Sequence, residues 1–173
     1  TETVVAKALA QGRDYWVLAR KVANRLGEGP NNIGFSRKWV VQGVESSLRR
    51  LGTDYLDIVY LHRDFPGQSL EEPIRALGDL MQQGKIRYYG LSNFRGWRIA
   101  EAVRMAQQLG VAAPAVIQPV YSVVNRLAEQ EQLPAAHEYG MGAISYSPLA
   151  RGVLTGKYRS MDDVPADSRV ARS

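Results

Sequence analysis

Lys21, His62, the pair Ser92–Asn93, Gln118 and Tyr146 each stand at the end of an apolar run. An ammonium, an imidazole, an amide pair and a phenol delivered this way suit polar chemistry on a small molecule. Neutral imidazole can donate a hydrogen bond to a carbonyl oxygen or move a proton near neutral pH. A buried ammonium lowers the pKa of a neighbouring phenol. Ser92, Asn93 and Gln118 together offer the donors and acceptors that match a carboxamide. Each residue also has a plainer reading. His62 can be a core histidine bonded to a backbone carbonyl, Lys21 a lysine reaching solvent, Ser92 or Asn93 a helix cap, and Tyr146 rim packing. Their recurrence at strand ends favours the functional reading.

The spacing dictates how they are positioned. Successive groups are separated by about 40, 30, 26 and 28 residues, the size of a strand–helix unit. A helix is expected over 1–10 and a strand over Tyr15–Ala19, followed by Lys21 and a Gly/Pro/Asn-rich loop, 24–35. Ser36 caps a helix to Leu51, with Val40, Val41, Val44, Ser47 and Leu48 inward. Tyr55–Leu61 is a strand, and Ser69 caps a helix running to Gly84. Ile86–Leu91 is a strand, 96–109 a helix and Ala115–Ile117 a strand. Leu127–Tyr139 is a helix and Gly142–Ser145 the last strand. Residues 149–173 show no further strand–helix unit. Beside Lys21, Arg20 is expected at the surface, because strand neighbours face opposite ways.

Short apolar strands alternating with helices indicate a parallel sheet buried on both faces. A doubly wound sheet would carry a Gly-rich first turn. No G-x-G-x-x-G follows the first strand, so the α/β pattern reads as a (β/α)₈ TIM barrel, which places functional groups at the C-terminal ends of its strands. Five strands are fewer than eight. The 173 residues are therefore expected to form one incomplete barrel domain, with strands lost on both sides, two open sheet edges and exposed barrel interior.

Composition narrows the function. The chain is 45% hydrophobic with a net charge of +5 and no cysteine, which excludes disulfides and thiolate metal sites. Two histidines leave little for a metal, and none is expected. The basic residues are scattered among acids, which argues against nucleic acid and fits a phosphorylated cofactor. No apolar run is long enough for a bilayer, and a cytoplasmic setting is expected. Asp57, His62 and Ser92 suggest a hydrolase triad only on paper, since no G-x-S-x-G elbow supports it.

Four stretches carry a resemblance: Tyr55-Leu-Asp-Ile-Val-Tyr-Leu-His62, Gly84-Lys-Ile-Arg-Tyr-Tyr-Gly-Leu-Ser-Asn-Phe94, Gln118-Pro-Val-Tyr121 and Tyr146-Ser-Pro-Leu-Ala-Arg-Gly-Val-Leu-Thr-Gly-Lys157. In this order they resemble the aldo-keto reductases, in particular the bacterial branch similar to potassium-channel β-subunits. The resemblance implies an NADPH-dependent reduction of small aldehydes or ketones. It matches Lys21 and His62 to catalytic helpers, and Ser92, Asn93 and Gln118 to ligands of the nicotinamide carboxamide. Tyr146 matches the residue stacked under the ring, and Ser147, Leu149, Gly152 and Leu154 fall in the pyrophosphate-holding stretch. It also implies that this chain covers about the third to seventh barrel strands. The family's proton-donating tyrosine and its aspartate would precede Thr1, and the loop for the 2′-phosphate would follow Ser173. A cofactor-binding regulatory subunit of the channel type, or an inactive truncated product, shares the same motifs. Assembly into a homo-oligomer is left open.

Overall fold

The computed structural model describes residues 2–10, 12–158, 160, 164–166, 168 and 171. Five parallel strands form one sheet in sequence order, the arc of a (β/α) barrel: β1 (Ala19–Val22), β2 (Leu56–Leu61), β3 (Ile86–Ser92), β4 (Val116–Gln118) and β5 (Gly142–Ala143). Helices α1 (Glu2–Leu9), α2 (Arg37–Leu51), α3 (Glu71–Gln82), α4 (Gly96–Leu109) and α5 (Gln132–Glu138) accompany it. The positions Thr1 and Gln11, and much of the tail after Tyr158, lie outside the described residues.

Strand register sorts the side chains into two faces. Arg20, Val59 and Tyr89 are cross-strand neighbours, as are Val22, Leu61, Leu91 and Ile117. Val22, Val59, Leu61, Tyr89, Leu91 and Ile117 join one core with Val40, Val44, Ile74, Leu77, Ile99 and Ala102 of the helices. The other parity places Lys21, Tyr60, Gly90 and Val116 in one row, and Ser92 beside Gln118 in the next. This is the inner face of the arc. Gly90 leaves room there: a Cβ would stand 2.8 Å from Cε1 of Tyr60 and 2.5 Å from the Val116 carbonyl.

Local chemistry explains where elements begin. Ser36 Oγ accepts the Trp39 N–H at 3.2 Å and starts α2 as expected. Ser69 acts two residues before α3, accepting the Glu71 N–H at 3.1 Å, while Leu70 occupies the cap position.

Several expectations need correction. The run Tyr15–Ala19 is not a strand. Arg13–Tyr15 is a short 3₁₀ turn, and β1 starts only at Ala19, so Lys21 lies within the strand and not beyond it. The cause is Arg13, which donates to the carbonyls of Trp16 (2.8 Å) and Tyr55 (3.0 Å) and pairs with Asp57 at 2.7 Å. Asp57 in turn accepts the Leu18 N–H. These local bonds hold the chain in a turn and leave Tyr15, Trp16 and Val17 exposed. Leu127–Tyr139 is also not one helix: a 3₁₀ turn at Leu127–Glu129 precedes α5 at Gln132. Pro134 would break a helix begun at Leu127, but it is tolerated in the first turn of one begun at Gln132. The last strand ends at Ala143 and not Ser145. Pro119 has no N–H to continue the ladder, and pairing resumes only at the isolated Val120–Tyr146 bridge. Arg20 is not a free surface residue. It lies in the helix layer, donating to Ser47 Oγ at 3.0 Å and pairing with Glu2 at 2.6 Å.

Candidate active site and cofactor cradle

The site lies along the C-terminal ends of the strands. Lys21 faces inward from β1, its Nζ 5.7 Å from the centre of the Tyr60 ring. His62 directly follows β2 and its N–H bonds the Val22 carbonyl at 3.0 Å, which fixes it against the end of β1. Burial lowers the pKa of His62, and the positive charges of Lys21, Arg63 and Arg20 add to that. The imidazole is therefore neutral at neutral pH. Burial, then the charge of Arg20, also lowers the pKa of Lys21. A cavity of 410 Å³ wraps the edge strand β1 and is lined by both residues together with Asn24, Trp39 and Gln42.

Asn93 is the hub of the next group. It takes a left-handed conformation, φ 59°, tolerable for asparagine. Its Nδ2 donates to the His62 carbonyl (3.1 Å) and to Ser92 Oγ (3.0 Å). Ser92 Oγ donates to the Gln118 carbonyl at 3.0 Å, and the Tyr146 hydroxyl donates to Asn93 Oδ1 at 2.8 Å. The ends of β2, β3 and β4 and Tyr146, three residues beyond β5, are thus tied through one amide. Ser92 is fully buried and serves the wall, while the Tyr146 ring is partly exposed. Gln118 Oε1 is buried and finds no hydrogen-bond partner among the described residues. An acceptor in that state calls for a donor from outside, and the NH₂ of a carboxamide is one.

Beyond Tyr146 the backbone changes character. Ser147, Ala150, Arg151 and Gly152 all have positive φ, from 46° to 105°. The N–H groups of Ala150 and Gly152 close this turn on the Ser147 and Leu149 carbonyls, both at 2.9 Å, so an anion here would be met mainly by cationic side chains. Tyr146, Ser147, Leu149, Arg151, Gly152 and Lys157 line a hollow there. A Cβ on Gly152 would stand 2.7 Å from Cε of Lys157, so the backbone and the ammonium share one small space. Leu154 belongs to the 3₁₀ segment Ala150–Thr155 but does not line the hollow, unlike the other residues matched to this stretch. Arg151 and Lys157 supply the cationic side chains, which the sequence reading did not single out. Their visible signal was charge beside the glycines. Tyr60 was also missed as an inner-face residue, although it stands two residues before His62 and so shares its face. Its buried hydroxyl has no partner among the described residues, and burial raises its pKa.

An inner row carrying lysine and histidine, an amide cluster with an open acceptor, and a hollow flanked by Arg151 and Lys157 follow one another along the strand ends. The model of the aldo/keto reductase family matches residues 1–173. The chain belongs to that family. It is 44% identical over 146 residues to a probable voltage-gated potassium channel subunit beta of Oryza sativa subsp. japonica, covering 84% of this chain and 44% of the relative. It is 38% identical over 176 residues to a putative subunit of the same name in Schizosaccharomyces pombe, covering 99% of this chain and 51% of the relative. It is 35% identical over 162 residues to L-glyceraldehyde 3-phosphate reductase of Escherichia coli K12, with 92% of this chain and 46% of the relative covered. The chain spans about half the length of the curated relatives it matches.

Proposed function

We propose that the protein carrying this chain reduces small aldehydes or ketones with NADPH in the cytoplasm. The observation that carries the reading is the buried Gln118 Oε1, without a partner among the described residues, beside the Ser92–Asn93–Tyr146 network, in line with the inner-facing Lys21 and His62. Gln118 and Asn93 would hold the nicotinamide carboxamide, with Ser92 bracing Asn93 from the wall. Tyr146 would stack under the ring. Ser147, Leu149 and Gly152, which line the hollow, would follow the pyrophosphate, with Lys157 as counter-charge, whereas Leu154 would stand behind it. Bound NADPH supplies a hydride.

This chain's residues serve the oxygen end of the reaction. The carbonyl oxygen gains negative charge as its carbon is reduced and must be met by hydrogen bonds and a proton. Neutral His62 donates to that oxygen and orients it. Lys21 supplies the charge that makes a nearby phenol acidic enough to give up its proton. In this reading that phenol would not come from these 173 residues. Tyr60 does not fill the role in this reading, because burial raises its pKa.

The test is NADPH oxidation by the full-length protein with a panel of aldehydes and ketones. Lys21→Met and His62→Ala should each lower turnover by about 10²- to 10⁴-fold, while quenching of protein fluorescence by NADPH persists. No turnover with any carbonyl sinks the enzymatic reading, and unchanged turnover in the variants sinks the assignment. The higher identity to the proteins named as channel subunits supports a second reading, a cofactor-binding subunit. It predicts tight NADPH binding with negligible turnover and co-purification with a large partner.

A further inference from the structure

All three phenylalanines of the chain meet at one rim of the arc. Phe35 stands edge-on to Phe65, with ring centres 5.0 Å apart, and stacks with Phe94 at 6.1 Å. The three residues come from the loops after β1, β2 and β3. Arg98 of α4 is only 4% exposed. Arginine is almost never buried so deeply unless paired. Its Nε meets Asp64 Oδ1 at 3.0 Å, its Nη1 meets Glu101 Oε2 at 2.5 Å, and its Nη2 donates to the Gln68 carbonyl. The Asp64 side chain is 8% exposed. Gln68 Oε1 accepts the Phe35 N–H at 3.0 Å. One guanidinium therefore grips the loop after β2 at two points and, through Gln68, reaches the loop after β1.

A buried ion pair is a weak source of stability, since apolar side chains of similar size often pack there as well or better. Its geometry is what distinguishes it. Asp64 follows His62 by two residues, and Arg98 follows Asn93 by five. The Asn93–His62 carbonyl bond ties the same two segments at the site itself.

We propose that Arg98 is a positioning residue. Its ion pair with Asp64 fixes the segment carrying His62 against the segment carrying Asn93, so the imidazole and the amide keep one mutual geometry. The catalytic consequence rests on the reductase reading, but the geometric one does not. The charged groups that act on His62 are Lys21 and Arg20 from β1 and its neighbour Arg63, and Arg98 acts on it only through the backbone.

The test uses the full-length protein with Arg98→Met, Arg98→Lys and the double variant Arg98→Met/Asp64→Asn. The single Met variant strands the buried Asp64 carboxylate and should melt early, whereas the double variant also removes that charge, leaves only the part-exposed Glu101 unpaired, and should melt nearer the parent temperature. Two readouts follow. One is the NMR titration of the His62 imidazole, assigned by its loss in His62→Gln. The other is kcat against KM for an aldehyde. In the double variant the His62 pKa should rise toward its ordinary value as the loosened loop admits water. Its kcat should fall about tenfold to a hundredfold, the cost of roughly an ångström of misplacement, with KM little changed. Arg98→Lys keeps the charge but loses the fork, and should recover part of both. A double variant with parent-like melting, titration and kcat overturns the proposal. If it does not fold, Arg98→Lys decides by the same readouts, and parent-like values there overturn the proposal. A shifted titration in a protein that never oxidises NADPH upholds the positioning and sinks the reductase reading. Turnover with an unmoved titration and kcat does the reverse.

Discussion

The rim above β1–β3 and the rim above β4–β5 are built on different plans. The first is packed: Phe35 and Phe94 are buried, Phe65 stands against Phe35, and Arg98 spans the loops. The second exposes Val123, Val124, Leu127, Leu149 and Val153. It holds its shape by local bonds, such as Tyr121 and Arg126 on Glu129, and by left-handed backbone at Ser147, Ala150, Arg151 and Gly152. The packed rim carries Lys21 and His62, and the open one carries Tyr146 and the hollow beside Arg151 and Lys157. Groups that must meet a reacting atom need fixed geometry, whereas groups that grip a long ligand benefit from adapting to it.

The contrast breaks first at Phe94. Phe94→Ala should destabilise the fold by about 3–5 kcal/mol, through lost burial plus a cavity, read from denaturant midpoints of the full-length protein. Val124→Ala on the open rim should change stability by no more than about 0.5 kcal/mol. Equal losses at the two positions would show that the rims do not differ in packing.

Gly152 sharpens the comparison from the other side. Its φ of 105° is strained for any side chain, at roughly 1–3 kcal/mol. That strain lowers stability, and the added Cβ would also push Lys157 out of the hollow, so Gly152→Ala should weaken NADPH binding about tenfold, measured by fluorescence titration, and leave turnover at saturating cofactor nearly intact. A fall in saturated turnover with unchanged affinity would mean that the cradle holds something other than the cofactor.

The same division marks what the sequence made legible. The strand–helix alternation, the Ser36 cap and the 96–109 helix depend on short-range pattern, and the structure has them at or near the expected residues. The inner row was half visible. Parity from His62 reaches Tyr60, but that Tyr60 lies over Gly90 beside Lys21 depends on three-strand register. The false strand at Tyr15–Ala19 came from an apolar run whose fate was decided by Arg13 and Asp57, 44 residues apart. The Arg98–Asp64 pair joins charges 34 residues apart, and nothing in local spacing separates them from surface charges.

The smallest expected effect is acid sensitivity at the packed rim. Burial and neighbouring cations depress the folded pKa of His62 below its ordinary 6.5. As pH falls through 6.5, the unfolded chain takes up this proton before the folded one does. Stability must then decline until the folded imidazole also titrates, and above the ordinary value the group contributes no slope. His62→Gln removes the group, so its urea midpoint should fall less than the parent's between about pH 7.5 and about pH 5.5. The effect is modest because the imidazole is only partly shielded from solvent. Parallel profiles would mean that His62 titrates alike in the folded and unfolded chains, and the packed rim would lose its claim to hold a neutral imidazole at the end of β2.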